Sequence, residues 1–228
     1  MKGQRRDFWL IATITFVAFV LRLWQLGHLP PGWRDDELIN SLVISQHLLD
    51  GDLAVYYPDA SGHEALYHAL NAIMLGLFGA NWVGIRLLSA FLGMLAVPLT
   101  YQAGRKLFGR WVGLTAAAGL AFSFWGLMYA RFGLRHVTMP VLVTAAFYFF
   151  WRGFQKADQR SPISNYLFAA LFIGLGFYTY FAGRGVPLIL LGFMGVVWLV
   201  KRPFFWRQWR SWAVLLAVTA VLAIPLII

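Results

Sequence analysis

The sequence predicts an all-α, polytopic membrane protein, and three observations lead there. Of its 228 residues, 60% are hydrophobic and only 12% are charged. The apolar residues gather in runs long enough, or nearly so, to cross a bilayer. The basic residues gather in short clusters between those runs. A soluble domain of this size could not hide so much apolar surface, whereas a chain embedded in lipid has no need to.

The first run lies in "MKGQRRDFWLIATITFVAFVLRLWQL". Its basic start resembles a signal peptide, but the apolar stretch is too long for one. It ends at Arg22, Trp24 and Leu26 with no small-residue cleavage site. It is read as a retained span over residues 8–26. Further runs fall at 82–103, 111–130, 136–151, 163–181, 186–200 and 211–228, giving about seven spans. Lipid offers the backbone no hydrogen-bond partner, so each is expected to be helical. Runs 136–151 and 186–200 are short and must borrow flanking residues such as Leu134 and Gly185. The last run carries no polar flank, so residues 1–228 are read as the N-terminal part of a longer transmembrane domain whose C-terminal remainder is missing.

The stretch "EALYHALNAIMLGLFG" (64–79) can be read as a span or as a helix lying in the interface. Basic residues arbitrate, because short cytoplasmic loops collect Lys and Arg. With 64–79 not spanning and the N-terminus inside, the inner segments hold Lys2, Arg5, Arg6, Arg105, Lys106, Arg110, Arg152, Lys156, Arg160, Lys201, Arg202, Arg207 and Arg210, thirteen of the nineteen basic residues. This predicts a multi-pass plasma-membrane protein with a cytoplasmic N-terminus and an extracytoplasmic segment over 27–81. The net charge of +10 then speaks for contact with anionic headgroups and against nucleic acid. The chain has no Cys, which excludes disulfides, thiolate nucleophiles and cysteine metal sites.

The outer segment opens with "GHLPPGWRDDELIN". Two prolines and a glycine stop the first span. From Asp36 onward Leu38, Ile39, Leu42, Val43, Gln46 and Leu49 recur at helical spacing, predicting a short amphipathic helix on the membrane surface. "DGDLAVYYPDASGHE" reads as loop. Asp35, Asp36 and Glu37 admit two readings. They can be a general base or, through Asp36 and Glu37, a divalent-ion site; or they can be acids favoured by any helix N-terminus. Arg131, Arg135 and His136 in "YARFGLRH", with Arg184 in "YTYFAGRG", stand on a face otherwise poor in cations. Guanidinium matches phosphate oxygens with a fork of donors, so the group suggests a shared phosphate site, against the rival reading of headgroup snorkelling. Arg86 either pairs with an outer carboxylate or snorkels. Asp59, His63 and Glu64 are auxiliary or acceptor-side candidates, with polar surface as the rival reading. No Walker, Rossmann, HExxH or G-x-S-x-G pattern occurs.

The motifs "PPGWRDDELIN", "GHEALYHALNAIMLGLFGANWVGIRLLSAFLGMLAVPLTYQAGRKLFG" and "RWVGLTAAAGLAFSFWGLMYARFGLRH", in this order, resemble the N-terminal half of the polyprenyl-phosphate-sugar-dependent membrane glycosyltransferases. These have the GT-C fold and include protein O-mannosyltransferase-like and aminoarabinose-transferase-like enzymes. The resemblance covers roughly residues 20–200. It implies part of a GT-C helix bundle with outer juxtamembrane helices. It also implies transfer of a sugar from a polyprenyl-phosphate carrier to a glycan, lipid or protein acceptor, with Asp36 as catalytic carboxylate and Glu37 as its signature partner. Where the family tends to carry Glu-Pro or His-Pro-Pro, this chain has Glu64-Ala65. Two other classes compete: a non-catalytic carrier-binding or assembly subunit, and a transporter, which would carry charges deep in its spans.

Sidedness is directly testable, because the chain is free of cysteine. Single cysteines at positions 36 and 156 are expected to react with an impermeant maleimide from opposite faces; labelling of both from one face would overturn the topology.

Overall fold

A computed structural model describes residues 2–59, 62–156 and 163–226, with side chains from residue 5 onward. Arg160 and the side chain of Lys2, both assigned above to the inner face, lie outside the described residues, as do 227–228 of the last expected span. The architecture is a helix bundle. Its helices are α1 (Lys2–Leu23), α2 (Asp35–Leu38), α3 (Ser45–Leu49), α4 (Ala65–Phe78), α5 (Trp82–Phe108), α6 (Arg110–Phe122), α7 (Phe124–Arg131), α8 (Thr138–Gln155), α9 (Ile163–Phe177), α10 (Val186–Val200) and α11 (Arg202–Ala223). A π-helical turn, Ile39–Ile44, joins α2 to α3, so the expected surface helix is one winding segment over 35–49. The stretch read as loop contains a small antiparallel hairpin, β1 (Tyr56–Tyr57) against β2 (His63–Glu64), with Tyr57 opposite His63.

Two groups of helices share α5 and α8 as their seam. One core packs Ile11 and Ala18 of α1 against Val97 and Tyr101 of α5 and Leu114 and Ala117 of α6. The other gathers Phe150, Tyr166, Ile173, Leu190, Trp212 and Leu215 from α8 to α11. α5 begins where Asn81 Oδ1 accepts from the Val83 and Gly84 amides at 2.9 and 3.2 Å, an N-cap. It ends at Gly109, whose φ of 100° lets the chain reverse at once into α6.

Among the described residues, four helical segments are long and apolar enough to cross a membrane: Trp82–Phe108, Arg135–Gln155, Phe181–Val200 and Arg202–Leu226. A fifth span results if α6 and α7 are taken together. The expected 111–130 span is therefore not straight: it breaks at Ser123 and bends by 54°. α9, at fifteen residues, is about 22 Å long, short of the roughly 30 Å hydrocarbon core. α1 carries Arg5, Arg6 and Asp7 at one end and Arg22 at the other. The structure thus gives a multi-pass bundle of four to five clear spans.

α4 lies across one end of the bundle. The Leu66 amide at its start donates to Tyr178 O, and the Gly79 carbonyl after its end lies against Gly84, in the first turn of α5. The start of α4 is thus tied to the segment after α9, and its end to the start of α5. The 35–49 segment turns its polar side toward the protein. Its buried residues are Glu37, Asn40, Ser41, Ile44 and Ser45, while Leu42, Val43 and Leu49 are exposed. The polar face is the inner one: Ser41 Oγ donates to Asn71 Oδ1 at 2.9 Å, and Asn40 Nδ2 donates to Gly133 O at 2.9 Å.

Two arginines close helix ends that water would otherwise have to satisfy. Arg22, fully buried, donates to Ala18 O within α1 and to Leu120 O, Ala121 O and Gly126 O at the α6–α7 break. Arg131 does the converse. From the end of α7 it donates to Leu21 O, Arg22 O, Trp24 O and Leu29 O, where α1 runs out. The last carbonyls of a helix have no partner within it, and in lipid each such group costs several kcal/mol if left bare. Arg131 thus caps the end of α1, and Arg22 caps the end of α6, the helix before Arg131's own.

The outer segment is locked by one ion pair. Arg86 on α5 donates from Nε to Glu37 Oε1 at 2.8 Å and from Nη2 to Glu37 Oε2 at 3.0 Å, with both side chains at zero exposure. The remaining Arg86 protons reach Leu26 O, Pro30 O and Gly32 O. Glu37 also accepts from the Arg34 amide at 3.1 Å and the Gly133 amide at 2.9 Å. Gly133 can come this close because it has no side chain; a Cβ there would stand 2.8 Å from Ile85 O. Trp33 stacks on Trp82 with centroids 3.4 Å apart, and the Arg86 guanidinium lies 4.5 Å from the Trp82 ring. Breaking such a buried pair strands a charge and costs about 3–5 kcal/mol. Glu37→Gln and Arg86→Met are each expected to release the 26–37 segment, lowering the melting temperature in detergent and opening cleavage near Trp33 to protease. A protease pattern unchanged in both would show that the pair does not hold the segment.

Candidate functional site

Glu37 is thereby the anchor that aims its neighbour. Asp35 and Asp36, in the first turn of α2, are exposed. Asp36 lines a cavity of about 350 Å³ together with Arg34, Trp125, Met128, Tyr129 and His136. A second cavity, of about 260 Å³, shares Trp125, Tyr129 and His136 with the first and runs between α5, α7 and α8 to Arg22. Its other lining groups include Gly93, Ala96, Ala130 and Pro140, so a polar mouth opens onto an apolar slot.

His136 stands where the two meet. Its ring packs edge-on to Tyr129 at 5.0 Å and lies 5.9 Å from Tyr180, and its buried Nε2 has no hydrogen-bond partner among the described residues. Beyond Tyr180 the remaining cations assemble. Arg135 sits 5.5 Å from the Tyr180 ring and donates to Glu64 Oε2 and Gly62 O, each at 3.0 Å. Arg184 donates to Glu64 Oε1 at 3.0 Å and is more than half exposed, whereas Glu64 is buried. One carboxylate so holds two guanidinium groups in place, leaving a net positive charge and free donors on Arg184.

The sequence-derived candidates are therefore brought together selectively. Asp36 and His136 share one cavity, and Arg135, Arg184 and Glu64 form a cluster on the other side of Tyr180 from His136. Arg131 is committed to backbone carbonyls and adds no free donor to that cluster. Asp59 is partly buried, and its backbone carbonyl accepts from Gly62 N. His63 belongs to a separate buried chain: His63 Nδ1 lies 3.2 Å from His68 Nε2, and His68 Nδ1 lies 3.0 Å from Asn40 O. A carbonyl can only accept, so His68 Nδ1 carries the proton and Nε2 accepts from His63. Sequence reasoning passed over Arg34 as a site residue, although it adjoins the acids in the chain. It also passed over Arg22, whose place at the end of a long apolar run was the signal.

No group of three or more His, Asp or Glu side chains is placed to hold a metal among the described residues. Both Glu37 oxygens are occupied by nitrogen donors, so an Asp36–Glu37 ion site does not fit this arrangement. Of the three acids in this motif, Asp35 and Asp36 remain open.

Residues 63–228 match the family described as dolichyl-phosphate-mannose-protein mannosyltransferase. The chain belongs to this family. Glu64, Arg131, Arg135, His136 and Arg184 fall inside the matched part of this mannosyltransferase-family chain, and Asp35–Glu37 precede it. No curated protein matches the sequence. Among solved structures, the archaeal oligosaccharyltransferase AglB from Archaeoglobus fulgidus, in complex with an inhibitory peptide and a dolichol-phosphate, superposes with a TM-score of 0.78 at 17% identity. That alignment covers 98% of this chain and 29% of that one. The apo form of the Archaeoglobus fulgidus oligosaccharyltransferase gives a TM-score of 0.76 at 18% identity, covering 96% and 29%. At this identity the likeness is one of fold, and it supports the GT-C bundle expected from sequence across nearly the whole chain, including the 35–49 segment. The chain spans under a third of the length of these structural relatives.

Burial pushes the His68 imidazole down to about 3. The folded protein therefore refuses a proton that the unfolded chain accepts near pH 6.5. The stability that His68 contributes is full above pH 6.5 and declines as pH falls toward 3, by on the order of 2 kcal/mol at pH 5. Melting temperature is expected to fall from pH 7 to pH 4, and His68→Gln to flatten that slope. An equal slope in the variant would remove His68 as its source.

Proposed function

We propose that this chain carries the donor-side half of a glycosyltransferase site that moves a sugar from a polyprenyl-phosphate carrier to an acceptor hydroxyl at the extracytoplasmic face. The observation that carries this is the shared cavity: an exposed carboxylate, Asp36, and an imidazole, His136, at the mouth of an apolar slot, flanked by the Arg135–Glu64–Arg184 cluster. Family membership and the fold shared with a protein solved with dolichol-phosphate support the same donor class.

In this reading α1 and α9 also cross the bilayer, completing seven spans, with the N-terminus cytoplasmic. Asp36 takes the acceptor hydroxyl proton as that oxygen attacks the anomeric carbon. The bond from that carbon to the phosphate oxygen breaks, and its electron pair leaves with the polyprenyl phosphate. Arg184, Arg135 and His136 meet the charge growing on that phosphate, and direct displacement inverts the anomeric configuration. The prenyl tail enters the slot lined by Ala96, Ala130 and Pro140. Glu37, with Arg86, acts by position alone.

The test uses the protein carrying this chain in vesicles, with radiolabelled polyprenyl-phosphate mannose as donor. Asp36→Asn is expected to lower transfer by about 10²–10⁴-fold while carrier binding persists. Arg184→Gln is expected to weaken carrier binding. Unchanged transfer in Asp36→Asn, with carrier still bound, would leave a carrier-binding subunit and remove the enzyme reading.

A further inference from the structure

A groove of about 560 Å³ opens between α10 and α11, at the opposite end of the bundle from Asp36. Its walls are Trp198 on α10 and Trp206 and Trp209 on α11, all exposed, with Leu191 and Met194 deeper in. Its floor is fixed. Trp212 is buried and donates from Nε1 to Tyr166 Oη at 3.1 Å; Tyr166 in turn faces Gln208 Oε1 at 3.4 Å. The groove is therefore built on an ordered base.

The rim is strongly basic. The turn between the two helices and the first turns of α11 carry Lys201, Arg202, Arg207 and Arg210, all exposed. Each opposing wall is topped by a guanidinium: Arg202 lies 5.1 Å from the Trp198 ring, and Arg210 lies 5.7 Å from the Trp209 ring. No acidic residue follows Asp158 in the sequence. Among the described residues, no carboxylate pairs with Lys201, Arg202 or Arg210. An apolar slot with a cationic mouth at the depth where tryptophans sit complements a molecule with an acyl tail and an anionic head.

We propose that the α10–α11 groove is a binding site for an anionic phospholipid of the leaflet opposite the Asp36 cavity. One acyl chain lies between Trp198 and Trp206, and the phosphate sits between Arg202 and Arg210. The site shares no residue with the proposed transfer site, so either reading can fail without the other.

The experiment places the full chain in phosphatidylcholine nanodiscs. A fixed mole fraction of acyl-brominated lipid is added, as phosphatidylglycerol or as phosphatidylcholine, and tryptophan quenching is read. Brominated phosphatidylglycerol is expected to quench severalfold more at low mole fraction, with the excess shrinking in high salt. Two variants separate the parts of the site. Arg202→Gln with Arg210→Gln removes the head contacts. Gly195→Leu adds bulk to the groove lining while keeping every cation; a Cβ at Gly195 meets nothing within 4 Å. Both are expected to abolish the excess with helical circular dichroism unchanged. Equal quenching by the two lipids overturns the proposal, as does an excess that survives both variants. Protection from both lipids would mean that protein, a second copy or another segment, covers the groove, and would overturn it equally.

Discussion

The structure turns on a carboxylate that water never reaches. Glu37 and Arg86 meet at two points with no exposure on either side, and between them they bind the end of the first helix, the Pro-Pro turn, the start of α2 and the Phe132–Gly133 corner. Desolvating two such charges is expensive, and an ion pair of this kind is a poor source of net stability. What it supplies here is position. Three carbonyls, two amides and three aromatic rings have only one arrangement that satisfies the guanidinium and the carboxylate together. Asp36, one residue away, inherits its direction from that arrangement and faces His136 across the cavity.

The same physics explains why so many arginines are buried in a chain with few charges. Arg22, Arg86 and Arg131 all donate to backbone carbonyls at places where helices stop or bend. Irregular backbone near lipid is tolerated only when something in the protein satisfies it. Guanidinium, with five donors in a fixed fork, does this better than any other side chain. The cations that remain for chemistry, Arg135 and Arg184, are held by Glu64 at the surface and keep contact with solvent.

Much of this was legible beforehand. Apolar runs and basic clusters disclosed a multi-pass membrane bundle. Ordered motifs disclosed the family. Position along the chain could not disclose which of two adjacent acids is buried: Asp36 and Glu37 have the same chemistry, and only the partner forty-nine residues later, Arg86, separates them. Nor could it show that Arg131 faces inward while Arg135, four residues on, reaches Glu64, because a break in the helix lies between them. Helical spacing found the 35–49 segment as a membrane-surface helix but could not show what its polar face would meet. Here Asn40, Ser41 and Ser45 turn inward to a polar network, and the leucines turn out. The bend at Ser123 was hidden because serine and glycine inside an apolar run leave hydropathy almost unchanged.

The exchange of caps between Arg22 and Arg131 has a consequence for biogenesis. The first segment carries a guanidinium whose acceptors lie about a hundred residues downstream, and its own frayed end waits for a donor equally far away. Neither segment is fit for hydrocarbon until the other arrives. The first helix and the bent pair therefore complete each other's polar groups only after both have been made, so they dock as one unit.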